Sequence, residues 1–313
     1  MVNGEGIAQH VVESAEKAVL DELVTSLPAY DSSDIARFNT RCAKAALLLP
    51  SSIVLWVNQV RQMSVGLLRG LPLPLDLPAT PNRKGLADSF AMPSDSLLGL
   101  IAACLGEIVS FEGKVCDRQI HNVYPAEDEV HGQLGASSGV LDWHVEDAFH
   151  PDRAEWLAIL CLRGAPDALT YLARARDLSL AESDWLEMRH RPATLVVDES
   201  FCDGYRGRPF RVAMVTGPSD HFELSYDPSY TDLKDHNIQA LLGRISVAAE
   251  AAKFSINLKA GDLLILDNRR VIHSRSALRA NFDGRDRWIK RALIAETGRK
   301  RCFLQPGMIA FPS

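Results

Sequence analysis

Residues 261–275 read Gly-Asp-Leu-Leu-Ile-Leu-Asp-Asn-Arg-Arg-Val-Ile-His-Ser-Arg. A turn at Gly261-Asp262 leads into an apolar run of strand length, and His273 follows in a polar setting, as a metal site at the mouth of a barrel requires. Short β-like runs of the same kind recur from residue 115 onward, at 115–123, 156–162, 194–197, 210–215, 222–226 and 288–294. Two helical segments interrupt them, 180–189 with Trp185 and Leu186 on a helical period, and 236–252 with a longer amphipathic pattern. Short, irregularly spaced strands that follow helices without alternating with them predict an α+β fold built on an antiparallel sandwich or barrel, not a doubly wound sheet.

Ahead of this region the chain reads as helical. Apolar residues Val11, Val12, Ala15, Val19, Leu20 and Leu23 recur at helical spacing through 8–27, and Ser32 can cap a second helix over 34–49. Residues 65–71 form a short strand. Pro72, Pro74, Pro78 and Pro81 then impose an extended loop, and 94–110 returns to helix.

The chain has 313 residues, 47% of them hydrophobic and 24% charged, so it can form one elaborated soluble domain enclosing a small-molecule site. We expect residues 1–63 to be a helical buttress, 64–296 the β core with a lid at 175–208 and a helical insertion at 235–252, and 297–313 a tail. A formal charge of −6 argues against a nucleic-acid partner. No apolar run is long enough to span a membrane, and Glu5, Glu13, Glu16 and Glu22 do not suit a signal peptide. Cys42, Cys104, Cys116, Cys161, Cys202 and Cys302 form no CxxC pair and read as reduced thiols, so a cytoplasmic location is expected. The oligomeric state is not legible.

Three patterns compete for the chemistry. Gly135-Ala136-Ser137-Ser138-Gly139 matches a hydrolase nucleophile elbow, but the preceding residues 127–132 are too polar for the buried strand an elbow needs, and a Ser/Gly turn is the better reading. His-x-Asp/Glu occurs three times, as His144-Val145-Glu146, His150-Pro151-Asp152 and His221-Phe222-Glu223. Residues i and i+2 of a strand share a face and can offer an imidazole and a carboxylate to one metal; Pro151 makes the second match a turn, and His221 reads equally as a surface histidine. With His273 as a distant third donor, the set suits a non-haem Fe(II) oxygenase with open positions, and zinc remains chemically possible. Arg287 and Arg291 lie four apart, and on a strand 287, 289 and 291 share a face, so both guanidiniums can point inward toward carboxylates; a solvated basic strand end is the alternative.

Taken together, Leu141-Asp142-Trp143-His144-Val145-Glu146-Asp147-Ala148-Phe149-His150-Pro151, the 261–275 stretch and the Arg287/Arg291 segment resemble the clavaminate synthase-like Fe(II)/2-oxoglutarate oxygenases. The subgroup that hydroxylates free arginine, asparagine or lysine looks closest, over about residues 66–294, with Leu68-Arg69-Gly70-Leu71-Pro72 as an early echo. The resemblance implies a distorted double-stranded β-helix (a jelly roll, cupin-like) with helices ahead of it and inserted in it. It implies His144, Glu146 and His273 as iron ligands, Arg287 with Thr170 on the distal carboxylate of 2-oxoglutarate, and Arg291 on the substrate α-carboxylate. Glu146 would also accept from the substrate α-ammonium, with Glu112 as the candidate second acceptor.

For the side chain, arginine hydroxylases of this type use two carboxylates one residue apart, whereas this chain offers Asp227 with Ser225 in the other place. One carboxylate suits a compact ammonium, so lysine or ornithine is expected before arginine or citrulline; Asp227 reads equally as an Asp-Pro turn residue. The implied reaction consumes O₂ and 2-oxoglutarate, releases succinate and CO₂, and hydroxylates the β or γ carbon. Desaturation or cyclisation with the same cofactors, and a non-catalytic metal-binding jelly roll, stay open.

Overall fold

The computed structural model describes residues 6–89, 91–116, 118–129, 138–219 and 221–312. In chain order these form β1 (Ala8–Val11), α1 (Ser14–Ser26), α2 (Ile35–Ala46), α3 (Ser51–Met63), β2 (Val65–Arg69), α4 (Pro93–Ala102), β3 (Glu107–Phe111), β4 (Ile120–Val123) and β5 (Leu141–His144). There follow β6 (Trp156–Arg163), β7 (Leu169–Arg174), α5 (Glu182–His190), β8 (Ala193–Val196), β9 (Pro209–Val212), β10 (Val215–Thr216), β11 (Glu223–Leu224) and α6 (His236–Ala252). The chain closes with β12 (Phe254–Asn257), β13 (Leu263–Asp267), β14 (Val271–Arg275), β15 (Trp288–Ala295), β16 (Phe303–Gln305) and β17 (Met308–Ile309).

Two sheets carry this mixed α+β architecture. The larger runs β1-β2-β13-β6-β15-β3-β17-β16 with β4 also on β15, and the smaller runs β12-β7-β14-β5. Pairing is antiparallel at the centre of both; β1 on β2 and β17 on β3 are parallel. Alternation along the strands assigns each face. Leu264 and Leu266 join a core shared with Leu172, Ile256 and Ile272 of the small sheet, while Leu263 and Ile265 pack with Leu20, Phe38, Trp56 and Leu100 of the helices. A sheet covered on both sides explains why β6 and β13 read as continuous apolar runs, each fully buried Leu or Ile contributing about 1.5–3 kcal/mol. No single described helix is long and apolar enough to cross a membrane.

Several boundaries differ from the sequence-based expectation. Residues 8–11 are a strand added to the edge of β2, and the helix starts only at Ser14, where the Glu13 N–H donates to the Glu16 carboxylate at 2.7 Å. Asp34, not Ser32, caps α2, by accepting from the Arg37 N–H at 3.3 Å. The expected helix 94–110 stops at Ala102, because a side chain at Gly106 would meet the Ala295 carbonyl oxygen at 2.1 Å; glycine lets the chain close onto β15 and become β3. Of the expected strand 115–123 only Ile120–Val123 pairs. Helix α3 falls within the helical buttress expected over residues 1–63, with Ile53, Trp56, Val57 and Val60 buried at helical spacing. Helix α6 spans the expected residues.

Candidate active site

The ladder of the small sheet sets His144 directly opposite His273, on β5 and β14, with ring centroids 4.2 Å apart. The His144 Nδ1–H donates to the Asp142 carbonyl oxygen at 2.7 Å, which leaves Nε2 for the site. Glu146 lies two residues past His144, beyond the strand. Its Oε1 is 3.9 Å from His144 Nε2 and 3.7 Å from His273 Nε2, and the three donor atoms lie within 4.8 Å of one another. Arg291 Nη1 donates to both Glu146 oxygens at 2.9 and 2.8 Å.

Burial works against the Glu146 charge, but Arg291 and the two imidazoles outweigh it and hold the carboxyl well below its ordinary range. Burial likewise disfavours a charged His144, yet Glu146 lifts it to about 9, while burial and the His144 charge push His273 down to about 4. An anionic oxygen flanked by two imidazole nitrogens is a donor set for one divalent cation. His273 Nδ1 is buried without a hydrogen-bond partner among the described residues.

The cavity beside these donors carries an uneven charge. Among the described residues its walls include Asp142, Glu146, Asp147, Asp198 and Asp227 against Lys114, Arg291 and His144. Lys114 Nζ is bound to Asp147 Oδ1 at 2.6 Å and to Ser200 Oγ at 2.7 Å, and lies 4.0 Å over the Phe201 ring. Asp227 opens a helical turn, its Oδ1 accepting from the Ser229 and Tyr230 N–H groups at 3.1 and 3.3 Å, so the turn and the cavity readings of this residue hold together. Burial, with the nearby Asp198 charge, pushes its carboxyl up to about 7 despite the His144 charge.

Arg287 sits just before β15. The register shift between Trp288 and Ile289 takes its extra residue, Leu162, from β6, so β15 keeps the alternation that sets Ile289 and Arg291 toward the core between the sheets, and the buried Arg287 lies near Cys161 of that same core. Arg287 is buried, and among the described residues it makes no hydrogen bond or ion pair. Burial draws it below the ordinary arginine range, and Arg275 is near enough to be depressed by its charge. A buried guanidinium without an acid is costly unless an anionic ligand supplies one. Thr170, also buried, stands opposite Arg275 across the β7–β14 ladder.

Other sequence-based candidates lie elsewhere. Glu112 does not line the cavity: Oε1 accepts from the Tyr205 hydroxyl at 3.0 Å and Oε2 from the Phe311 N–H at 2.8 Å, so in place of the expected contact with a substrate amine it ties Tyr205 to Phe311. Ser225 is buried with its N–H on the Met214 carbonyl. His150 is a turn residue whose Nδ1 accepts from the Asp152 N–H at 3.0 Å. His221 opens onto a separate cleft, and Glu223 is tied to Arg269 and Arg299. The elbow residues 135–137 lie outside the described residues. Sequence reasoning missed Asp198 and Lys114, which come to the site through the β8–β9 loop and the loop after β3; the signal was their charge within otherwise turn-like stretches.

Residues 179–293 match the Taurine catabolism dioxygenase TauD, TfdA family. The chain is 32% identical over 305 residues to L-lysine 3-hydroxylase of Catenulispora acidiphila, covering 92% of this chain and 84% of that protein. It is 30% identical over 319 residues to enduracididine beta-hydroxylase of Streptomyces hygroscopicus, covering 92% and 93%. Its fold superposes with a TM-score of 0.87, at 22% identity and over 97% and 100% of the two chains, on asparagine oxygenase in complex with Fe(II), 2S,3S-3-hydroxyasparagine and succinate.

Proposed function

Because the chain belongs to the TauD-type Fe(II)/2-oxoglutarate oxygenase family, in its amino-acid hydroxylase subgroup, we propose that it hydroxylates a free basic L-amino acid, lysine or ornithine before arginine or citrulline. Attack at the β carbon is preferred over the γ carbon, since two of the relatives are named for that position. Fe(II) and 2-oxoglutarate are the cofactors, and the residues fit both. His144, Glu146 and His273 would hold the iron, and the unpartnered Arg287, with Thr170, would take the distal carboxylate of 2-oxoglutarate. When bound, the pair supplies O₂ activation coupled to oxidative decarboxylation, giving succinate and CO₂. We read the two sheets as a distorted jelly roll and 175–208 as its lid.

The observation that carries the choice of substrate is the charge left over in the cavity. Glu146 would belong to the metal and Asp147 is paired with Lys114, while Asp142, which accepts from the Ser229 hydroxyl at 3.0 Å, keeps its charge at the same wall. Asp198 and Asp227 remain, and the charge of one raises the other's pKa. An ammonium between them would relieve that repulsion, whereas a neutral side chain would leave it in place. At the other end Arg291, now on Glu146, would turn to the substrate α-carboxylate in a bidentate fork, and Glu146 would accept from the α-ammonium. Held at three points, the substrate offers one C–H bond to the metal, so regioselectivity follows from position.

Incubation of the Fe(II)-loaded enzyme with 2-oxoglutarate and each of the common amino acids, ornithine and citrulline tests this by mass spectrometry. A product heavier by one oxygen from a basic amino acid, with matching succinate, is expected. Turnover of neutral amino acids alone would sink the assignment, and loss of two hydrogens would place the enzyme among desaturases.

A further inference from the structure

Glu146 stands outside any strand, so no sheet ladder fixes it. Its backbone is held instead by one side chain. Asn268, fully buried at the turn between β13 and β14, accepts from the Glu146 N–H through Oδ1 at 2.8 Å, and its Nδ2 donates to the Glu146 carbonyl at 3.1 Å and the Ala154 carbonyl at 3.3 Å. The Asn268 N–H is itself anchored on the Glu155 carbonyl at 2.7 Å. A carboxamide presents a donor and an acceptor side by side, as a neighbouring strand would, and so can replace the missing ladder; a carboxylate or hydroxyl lacks that pairing.

We propose that Asn268 is a positioning residue that sets the Glu146 carboxylate for the metal. The consequence is geometric. His273 lies on β14 and pairs with His144, while the turn that begins β14 clamps Glu146, so a single hairpin fixes all three donors relative to one another. The next residue, Asp147, has a left-handed backbone with φ 52°, a conformation a non-glycine keeps only where its surroundings enforce it; the clamp on Glu146 is one such constraint.

The inference rests on the metal assignment above, and the test separates the two. Apo wild type, Asn268→Asp, Asn257→Asp and His144→Ala are titrated anaerobically with Co(II), reading the dissociation constant, the visible d–d spectrum and the unfolding temperature with and without Co(II). Asn257 is the control, because its Nδ2 clamps the carbonyls of Ala165, Pro166 and Ala168 in the same manner away from the donors. Asn268→Asp keeps an acceptor but loses the donor. It is expected to weaken Co(II) binding by about 10- to 100-fold and to shift the d–d bands, as loss of an outer-shell partner does. Asn257→Asp should lower the unfolding temperature and leave both Co(II) readouts at wild-type values.

An Asn268→Asp protein that unfolds more easily yet binds Co(II) with wild-type affinity and spectrum would overturn the positioning role. Equal Co(II) binding by His144→Ala and wild type would overturn the metal assignment and the inference with it. Should Asn268→Asp not fold, Asn268→Gln, which displaces the same amide by one methylene, takes its place under the same readouts.

Discussion

Arginine 287 offers a test in which stability and activity should move in opposite directions. The guanidinium is buried, and among the described residues nothing acidic or carbonyl-bearing engages it. Taking such an ion out of water costs several kcal/mol after relaxation, and here no protein partner offsets that cost. Arg287→Met removes the charge while keeping most of the stem, so the apo protein should be as stable as wild type or more stable. The cosubstrate sees the reverse. A desolvated guanidinium fork on a carboxylate makes two charge-assisted hydrogen bonds of about 1.5–3 kcal/mol each. Losing even the lower total, about 3 kcal/mol, raises the dissociation constant of 2-oxoglutarate by about two orders of magnitude. The assay is paired: denaturant unfolding of the apo protein, and anaerobic titration of the Fe(II) form with 2-oxoglutarate followed by the charge-transfer absorbance of the complex. Arg287→Lys, with a point charge in place of a fork, should fall between. An apo Arg287→Met protein destabilised by about 2 kcal/mol or more, with 2-oxoglutarate affinity close to wild type, would show that the side chain is structural and refute the reasoning.

Three further outcomes are expected. His144→Ala should abolish succinate formation while His221→Ala leaves it within about twofold of wild type, since a surface substitution away from the site changes little; the reverse pattern would move the metal to the other His-x-Glu match. Asp227→Asn should raise KM for the basic amino acid by about tenfold or more, the scale of a lost charge-assisted bond, and leave KM for 2-oxoglutarate alone; without substrate, a carboxyl raised to about 7 in the fold binds more protons folded than unfolded, so wild-type stability should decline as pH rises from about 4 to about 7 and the Asn variant should lack that part of the decline. Asp95→Ala, which strands the fully buried Lys290 now 2.6 Å from Asp95, should cost about 3–5 kcal/mol by chemical denaturation, and Asp95→Leu with Lys290→Met should recover most of it.

The metal donors were legible because their chemistry depends on local spacing. Two ligands two apart, and a third behind an apolar run, survive any uncertainty about which strands pair. The proposed substrate end was only half legible. Asp227 is marked by the proline after it, but Asp198 reaches the site through the fold-back of the β8–β9 loop, a contact with no local pattern. Glu112 had a substrate role only through the resemblance; one residue past β3, it turns to Tyr205 and Phe311 instead. Strand β1 escaped for the opposite reason: its four residues have helical spacing, and only pairing with β2, as Ala8 with Gly66 and Val11 with Arg69, makes them a strand.

Alternation along β15 decides which way its cations point, since the bulge opposite Trp288 and Ile289 lies in β6. Ile289 and Leu293 of this strand pack into the core between the sheets, while Trp288, Ala292 and Ile294 pack against the helices. Arg291 therefore projects toward Glu146, and its neighbour Lys290 projects the other way, into the helical layer, where Asp95 and Asn122 receive its ammonium at 2.6 and 3.0 Å. A slip of one residue would turn both cations to the opposite faces. In one direction Lys290 would take the place of Arg291 beside the metal donors without a fork; in the other Arg291 would have to enter a site fitted to a compact ammonium. The buried Lys290–Asp95 pair adds little net stability compared with apolar residues of the same volume, but it makes the slipped register expensive. On this account the pair earns its place as a register device, and the double variant Asp95→Leu/Lys290→Met, stable though it should be, is where a loss of α-carboxylate binding would appear as a raised substrate KM with an unchanged metal affinity.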